Sequence, residues 1–185
     1  MKIAVVSGAS HGLGKKISEK LLEKNFKVYG ISRTDPKFSN SQFSWIKLDL
    51  TDSAEIAAIP EKIIEEKIDL LVNNAGTALL RKTLDYTDDD FEKTFGLNFK
   101  SPIKLTTVLF QKLKGGLIIN ISSISDRYPD PDYGLYGSSK AALNLFFETM
   151  ATENREVKII NLLPSYIDTP LQHQLNDDKS FDWKQ

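Results

Sequence analysis

Tyr136 and Lys140 stand four residues apart, so on a helix both side chains would project from one face. A phenol beside an ammonium is an acid–base device. A free phenol titrates near pKa ~10, too high for efficient proton exchange at neutral pH, and a neighbouring positive charge favours the phenolate. Moving that equilibrium by about three units takes about 4 kcal/mol of differential stabilisation. Alone, the pair carries little weight. Lysine fills about a ninth of the chain and there are six tyrosines, so about two thirds of one Tyr-x3-Lys match is expected by chance. A different chemistry is offered by Ser7-Gly8-Ala9-Ser10-His11-Gly12-Leu13-Gly14. Glycines let a backbone turn sharply and approach a ligand without a Cβ in the way. A helix starting beyond them presents N–H groups and a positive dipole to a pyrophosphate. The spacing is G-x3-G-x-G, not the commoner G-x-G-x-x-G, and a tight strand–helix turn would use the same glycines.

The elements that must position these groups alternate between strand length and helical period. Ile3–Val6 is a short β-branched run that breaks at Gly8, and Ile17, Leu21 and Leu22 share one face of a helix beginning near Gly14. Val28–Ile31 is a second strand, and a third lies around Trp45–Leu48 after a polar loop. Helical character is expected near Pro60–Lys67, with Ile63 and Ile64 facing inward and Pro60 in the first turn. Leu70–Val72 is a fourth strand, cut off by Asn73-Asn74-Ala75-Gly76. A long helical region from about Asp88 to Leu113 is expected to bend near Gly96 or Pro102. Leu117–Ile121 and Val157–Leu162 are the fifth and sixth strands, and Leu143, Phe146, Phe147 and Met150 mark a face of the helix between them. Continuously apolar strands alternating with helices predict an α/β fold, a doubly wound parallel sheet covered by helices on both faces. The glycine string would then sit at the first strand–helix junction, where such sheets bind nucleotides.

The end of the second strand bears on which nucleotide. An acid there would bind adenosine ribose hydroxyls, whereas a basic group accommodates a 2′-phosphate. The strand runs into Ser32-Arg33-Thr34, so Arg33 would hold the phosphate with its planar fork and Ser32 and Thr34 would add hydroxyl donors. Asp35 is followed by proline and reads as a turn former. NADP(H) is therefore preferred, with NAD(H) as the alternative.

Composition narrows the field. The 185 residues carry 24 basic and 25 acidic side chains, a net charge of −1 that argues against nucleic acid or an anionic membrane as partner. With no cysteine, disulfides, thiolate metal sites and cysteine nucleophiles are excluded, and two histidines, His11 and His173, make a poor metal centre. Apolar runs are too short for a membrane span of about 20 residues, and the N-terminus has no signal-peptide core, so a cytoplasmic protein is expected.

The motifs taken together resemble the short-chain dehydrogenase/reductases over residues 1–170. They are SGASHGLG at 7–14, NNAG at 73–76, Asn98, INISS at 119–123, YGSSKAAL at 136–143 and NLLPSYIDT at 161–169, in the family's order. Ser123 lies thirteen residues before Tyr136, the family's spacing. The resemblance implies a Rossmann-like sheet, six strands in this chain, and a Ser123–Tyr136–Lys140–Asn98 active site. Ser123 would bond the substrate oxygen, Tyr136 would be the acid–base residue, Lys140 would bind the nicotinamide ribose, and Asn98 would support a proton-relay water. Cofactor contacts implied are Gly8, Ser10, His11, Gly12, Leu13, Gly14, Ser32, Arg33, Asp49, Leu50, Asn74, Ala75, Gly76, Tyr136, Lys140, Pro164, Ile167 and Thr169, while Asn73 would stabilise the sheet. Without the pattern, Ser123 would be a strand-end turn cap and Asn98 a helix-kink hydrogen bond.

The expected activity is interconversion of a small carbonyl compound and its secondary alcohol by hydride transfer; the alternative is a catalytically idle nucleotide sensor. A homodimer or homotetramer through the helices near 98–113 and 137–153 is implied by analogy. Three departures stand out. Pro164-Ser165 replaces the usual Pro-Gly, Asp126-Arg127 follow the serine where a glycine is usual, and only sixteen residues follow Thr169. Arg127 would attract an acidic substrate or be a solvated loop charge. Residues 171–185 read as a tail or partial substrate loop, and the sixth strand would otherwise be a bare edge, so part of a longer chain is expected beyond them.

Overall fold

The computed structural model describes residues 1–165 and 167–169; the tail at 171–185, with His173, lies outside them. Six strands, β1 (Lys2–Ser7), β2 (Phe26–Ser32), β3 (Phe43–Lys47), β4 (Leu70–Asn73), β5 (Leu117–Ile121) and β6 (Lys158–Leu162), form one sheet in the order β3-β2-β1-β4-β5-β6. Every pairing is parallel. This is the Rossmann-like doubly wound sheet that the sequence predicts. The chain leaves β1 toward β2 and β3, then returns to pair β4 on the other side of β1, so the crevice at the switch point opens between the ends of β1 and β4.

Alternate residues of the central strands feed two cores. Ile3 and Val5 pack with Leu71, Ile118, Leu105, Leu143 and Phe147, whereas Ala4 and Val6 pack with Val28 and Val72 under Ile17 and Leu21. The first core lies beneath α5 (Ser101–Leu109) and α6 (Gly134–Glu153); the second lies beneath α1 (Gly12–Glu23). Over β5 and β6 the α1 side carries no helix among the described residues. Ile160 and Leu162 there are 44% and 46% exposed, and β6 is the edge.

Two helical expectations shift. The segment expected at Pro60–Lys67 is α2 (Ser53–Ala57) and α3 (Ile59–Lys62), and Ile64 faces out at 76% exposure while Ile63 is buried. Asp52 starts the helix early because its carboxylate accepts from the N–H groups of Ala54 and Glu55. Ile63 is already extended, which turns Ile64 away from the core. The region from Asp88 does bend near Gly96: α4 (Asp88–Phe95), capped reciprocally by Thr87 and Asp90, passes into a π-turn at Gly96–Lys100 before α5. On α6, Leu143 and Phe147 are buried, but Phe146 is 39% exposed. No helix among the described residues is long and apolar enough to cross a membrane.

Candidate active site

The cleft at the carboxyl ends of the strands is built first from the glycine loop. Buried Ser7 ends β1, and its Oγ accepts from the backbone N–H groups of Asn74 and Ala75 at 2.9 and 3.0 Å. Asn74 Nδ2 donates back to the carbonyls of Ser7 and Gly8. The NNAG segment is thus laced to the loop across the switch point. Gly8 has φ +70°, a conformation that L side chains rarely adopt. At Gly14 a Cβ would fall 2.2 Å from the Gly8 carbonyl oxygen, so the helix can come this close only without one. Gly14 therefore packs behind the loop, whereas Gly8, Ser10, His11, Gly12 and Leu13 form the cleft wall. His11 is the N-cap of α1 but places no side chain on its N–H groups, and the first turn holds no acid. The helix start is shaped for an anion.

Beyond the loop, Ser32, Arg33, Asp49 and Leu50 line the same cleft. The Arg33 side chain is 78% exposed, and its guanidinium lies 3.9 Å from the Asp49 carboxylate. Hydrogen bonds from the Thr51 backbone and hydroxyl, with Arg33 beside it, hold Asp49 below the usual carboxylate range despite partial burial. Asp35 accepts from the Lys37 N–H at 2.7 Å, the turn role expected of Asp-Pro, and is not on the cleft wall.

At the opposite end, Ser123, Tyr136 and Lys140 line the cleft. Ser123 caps a 3-10 turn at Ile124–Asp126, accepting from the Ser125 N–H, so its plain turn-cap role is real as well. Tyr136 sits in the first turn of α6, and Lys140 one turn later places Nζ 5.7 Å from the phenol ring centre. Lys140 is 4% exposed and donates to the Ile121 carbonyl at 2.8 Å. Burial alone lowers its ammonium to about 8. Burial pushes the Tyr136 phenol up, the nearby Ser123 hydroxyl acts the other way, and Tyr133 adds to the rise. The lowering of the phenol that the sequence suggests is therefore not a property of the protein by itself. Burial is the largest influence on the phenol and holds it as the acid; the Lys140 ammonium is not among the influences on it.

Asn98 does not line the cleft. It projects from the π-turn, buried, and its Nδ2 donates to the Thr77 carbonyl and Ser139 Oγ while its Oδ1 accepts from Thr77 N–H. Ser139 Oγ donates in turn to the Tyr136 carbonyl at 2.7 Å. Asn98 thereby ties the loop after Gly76 to the first turn of α6. Ala75 and Gly76 line the cleft above it, and a Cβ on Gly76 would sit 3.2 Å from Asn98 Oδ1 and 3.5 Å from Lys140 Nζ. Pro164, Ile167 and Thr169 complete the wall. Ser165 is not among the described non-glycine residues with positive φ, so the missing glycine costs no strain there.

Several contributors escape sequence reasoning. Asp126, which stands in the sequence only as a departure from the family's pattern, has a side chain only 5% exposed and accepts from Asn144 Nδ2 of α6 at 2.7 Å. Arg127 is 64% exposed beside it and does not line the cleft. Ser7 and Ser139 are small hydroxyls that bond Asn74, 67 residues away, and Asn98, 41 residues away, with little local to flag them. Asp130 and Tyr133, which also line the reacting end, lie in a loop without a spacing signal.

Comparison with known proteins agrees with this geometry. The short chain dehydrogenase family model matches residues 2–180. An uncharacterised oxidoreductase of Saccharomyces cerevisiae is 31% identical over 190 residues, covering 96% of this chain and 75% of that protein. Among solved structures, ElxO with NADP bound superposes with a TM-score of 0.87 at 28% identity, over 98% of this chain and 80% of that one. A 4-hydroxyisoleucine dehydrogenase complexed with NADH gives 0.83 at 27%, over 95% and 80%. With its sheet order, switch-point cleft and family match in agreement, this chain belongs to the short-chain dehydrogenase family of oxidoreductases.

Proposed function

We propose that this chain is an NADP(H)-dependent oxidoreductase interconverting a small-molecule carbonyl compound and its secondary alcohol. The observation that carries the reading is one cleft with a bare helix N-terminus and Arg33 at one end and Ser123, Tyr136 and Lys140 at the other. The residues fit a nicotinamide dinucleotide. Gly8 and Gly12, both at positive φ, keep side chains off the pyrophosphate position, and Gly76 keeps one off the space before Lys140. A reduced nicotinamide held there would supply hydride to a carbonyl carbon. Tyr136 gives its phenolic proton to the carbonyl oxygen, and Ser123 Oγ–H bonds the same oxygen. Lys140 would hold the nicotinamide ribose and opposes the charge that develops on the phenolate. Asn98 would support a proton-relay water and holds Thr77 and Ser139, whose Oγ donates to the Tyr136 carbonyl.

The choice of NADP(H) rests on Arg33, an exposed cation whose carboxylate neighbour is 3.9 Å away, and on Asp35 being engaged in its own turn. Solved relatives carry NADP or NADH, so the chain's own residues decide. Self-association uses the α4–α6 face, where Phe91 (49%), Leu145 (67%) and Phe146 (39%) are exposed along a row of ring contacts through Phe95 and Phe99. The test is NADPH oxidation against a panel of ketones, diketones and 3-oxoacyl thioesters. Turnover that disappears in Tyr136→Phe supports the enzyme; tight NADPH binding with no turnover across the panel replaces it with a sensor.

A further inference from the structure

We infer that Trp45 is a positioning residue for the 2′-phosphate end of the dinucleotide site, acting through Ser32 to hold the turn that presents Arg33. The inference rests on the NADP(H) reading and adds a residue to it. Trp45 lies on the edge strand β3, opposite Gly30 of β2 in the parallel register, and is 36% exposed. It does not line the cleft. Its indole Nε1–H reaches the end of β2, where it is shared between the Ser32 carbonyl at 3.2 Å and Ser32 Oγ at 3.1 Å.

Ser32 is 5% exposed, and its Oγ donates to the Thr34 carbonyl at 2.7 Å. A hydroxyl has one proton, and here it goes to the Thr34 carbonyl. The bonds form a relay: Trp45 donates to Ser32 Oγ, and Ser32 Oγ donates to Thr34. Between the two ends of that relay stands Arg33. Its only ion-pair partner among the described residues is Asp49 at 3.9 Å, and a guanidinium that exposed gains little fixation from such a pair. The direction in which it leaves the backbone is set by the turn. Because Arg is effective on phosphate through a fork of fixed geometry, holding its backbone matters to binding.

The experiment is titration calorimetry of adenosine 2′,5′-bisphosphate and 5′-AMP, which differ only by the 2′-phosphate, against wild type, Arg33→Ala, Trp45→Phe and Ser32→Ala. KM is measured for NADPH and NADH in parallel. Phenylalanine keeps the ring and removes the N–H. The expected result is a wild-type preference for the bisphosphate that Arg33→Ala removes. Trp45→Phe and Ser32→Ala should each weaken the bisphosphate by about tenfold and 5′-AMP by less than about twofold, with KM rising for NADPH and not for NADH. If Arg33→Ala loses the preference while Trp45→Phe keeps it, Trp45 has no such role and the cofactor reading stands. If Trp45→Phe weakens both nucleotides equally, its role is general packing, and the inference fails. Equal wild-type affinity for the two nucleotides overturns the NADP(H) reading, and this inference with it.

Discussion

Replacing Lys140 with methionine should stabilise the fold at neutral pH while abolishing turnover. The lysine is buried, and burial alone brings its ammonium from the ordinary 10.5 down to about 8. The difference, 10.5 − 8, is 2.5 units at about 1.4 kcal/mol each, so charging it in the folded state costs about 3 kcal/mol. The folded pKa is the lower one, so the unfolded chain holds the proton more tightly. Below 8 both states are charged and the full penalty stands. Between about 8 and 10.5 wild-type stability rises with pH, and above 10.5 the penalty has gone. Methionine carries no such penalty, but it leaves the Ile121 carbonyl without its donor, a loss of about 1 kcal/mol. Lys140→Met should thus be more stable than wild type by about 2 kcal/mol at pH 7 and less stable by about 1 kcal/mol above pH ~10.5. Urea unfolding at fixed protein concentration across that range reads both values, and other titrating groups cancel between the two proteins. A variant less stable than wild type at pH 7, or a difference that does not change sign, would refute the reasoning. A charge kept at such a cost points to function, because stability would discard it.

Four other outcomes are expected. Tyr136→Phe should lower kcat by at least about a hundredfold while NADPH affinity by fluorescence titration stays within about twofold. The rate of ketone reduction should hold below pH 8 and fall above it, as Lys140 loses the proton whose charge opposes the developing phenolate; a pH–rate profile at saturating NADPH checks this. Asp126→Ala should cost about tenfold in kcat by freeing the Ser123 turn from α6, and Asp126→Asn, which still accepts from Asn144, should recover most of it. Gly14→Ala should destabilise the protein by about 1–3 kcal/mol, measured by urea unfolding, because the new Cβ meets the Gly8 carbonyl at 2.2 Å.

The central strands are legible in the sequence because β1, β2 and β4 are largely apolar runs buried on both faces, and the alternation with helices along most of the chain predicts parallel pairing. The glycine loop is legible because its backbone demands are local. What escapes depends on partners far along the chain. Ile64 reads as core by its apolar side chain, but the Asp52 cap and the break at Ile63 decide its direction. Asp126 is only a departure from the family's pattern until Asn144 arrives from α6. Trp45 reads as one more strand aromatic, since its bond to Ser32 exists only once β3 lies beside β2. The residues of the reacting end are legible as a pattern, yet the phenol's proton affinity is not, because desolvation acts through the whole surrounding structure.

The cleft floor shows how the scattered reacting groups are held in register. Asn73, Asn120 and Asn161 are paired residues of β4, β5 and β6, all on the side facing α5 and α6. Asn73 Nδ2 donates to Asn120 Oδ1 at 2.8 Å and to Thr106 Oγ1 of α5, and Asn120 Nδ2 donates to Asn161 Oδ1 at 2.8 Å. Asn161 Nδ2 then donates to the Asn144 carbonyl of α6, whose own Nδ2 reaches Asp126 under the Ser123 turn. Three apolar strands would gain more from leucines at these positions, but leucines would pack nearly as well in a slipped register. A slip by one residue would turn each amide to the opposite face without its partners, at a cost of about 1–3 kcal/mol per group. The ladder therefore fixes the relative height of the strand ends that carry Ala75, Ser123 and Pro164, and a polar sheet interior serves the geometry of the cleft.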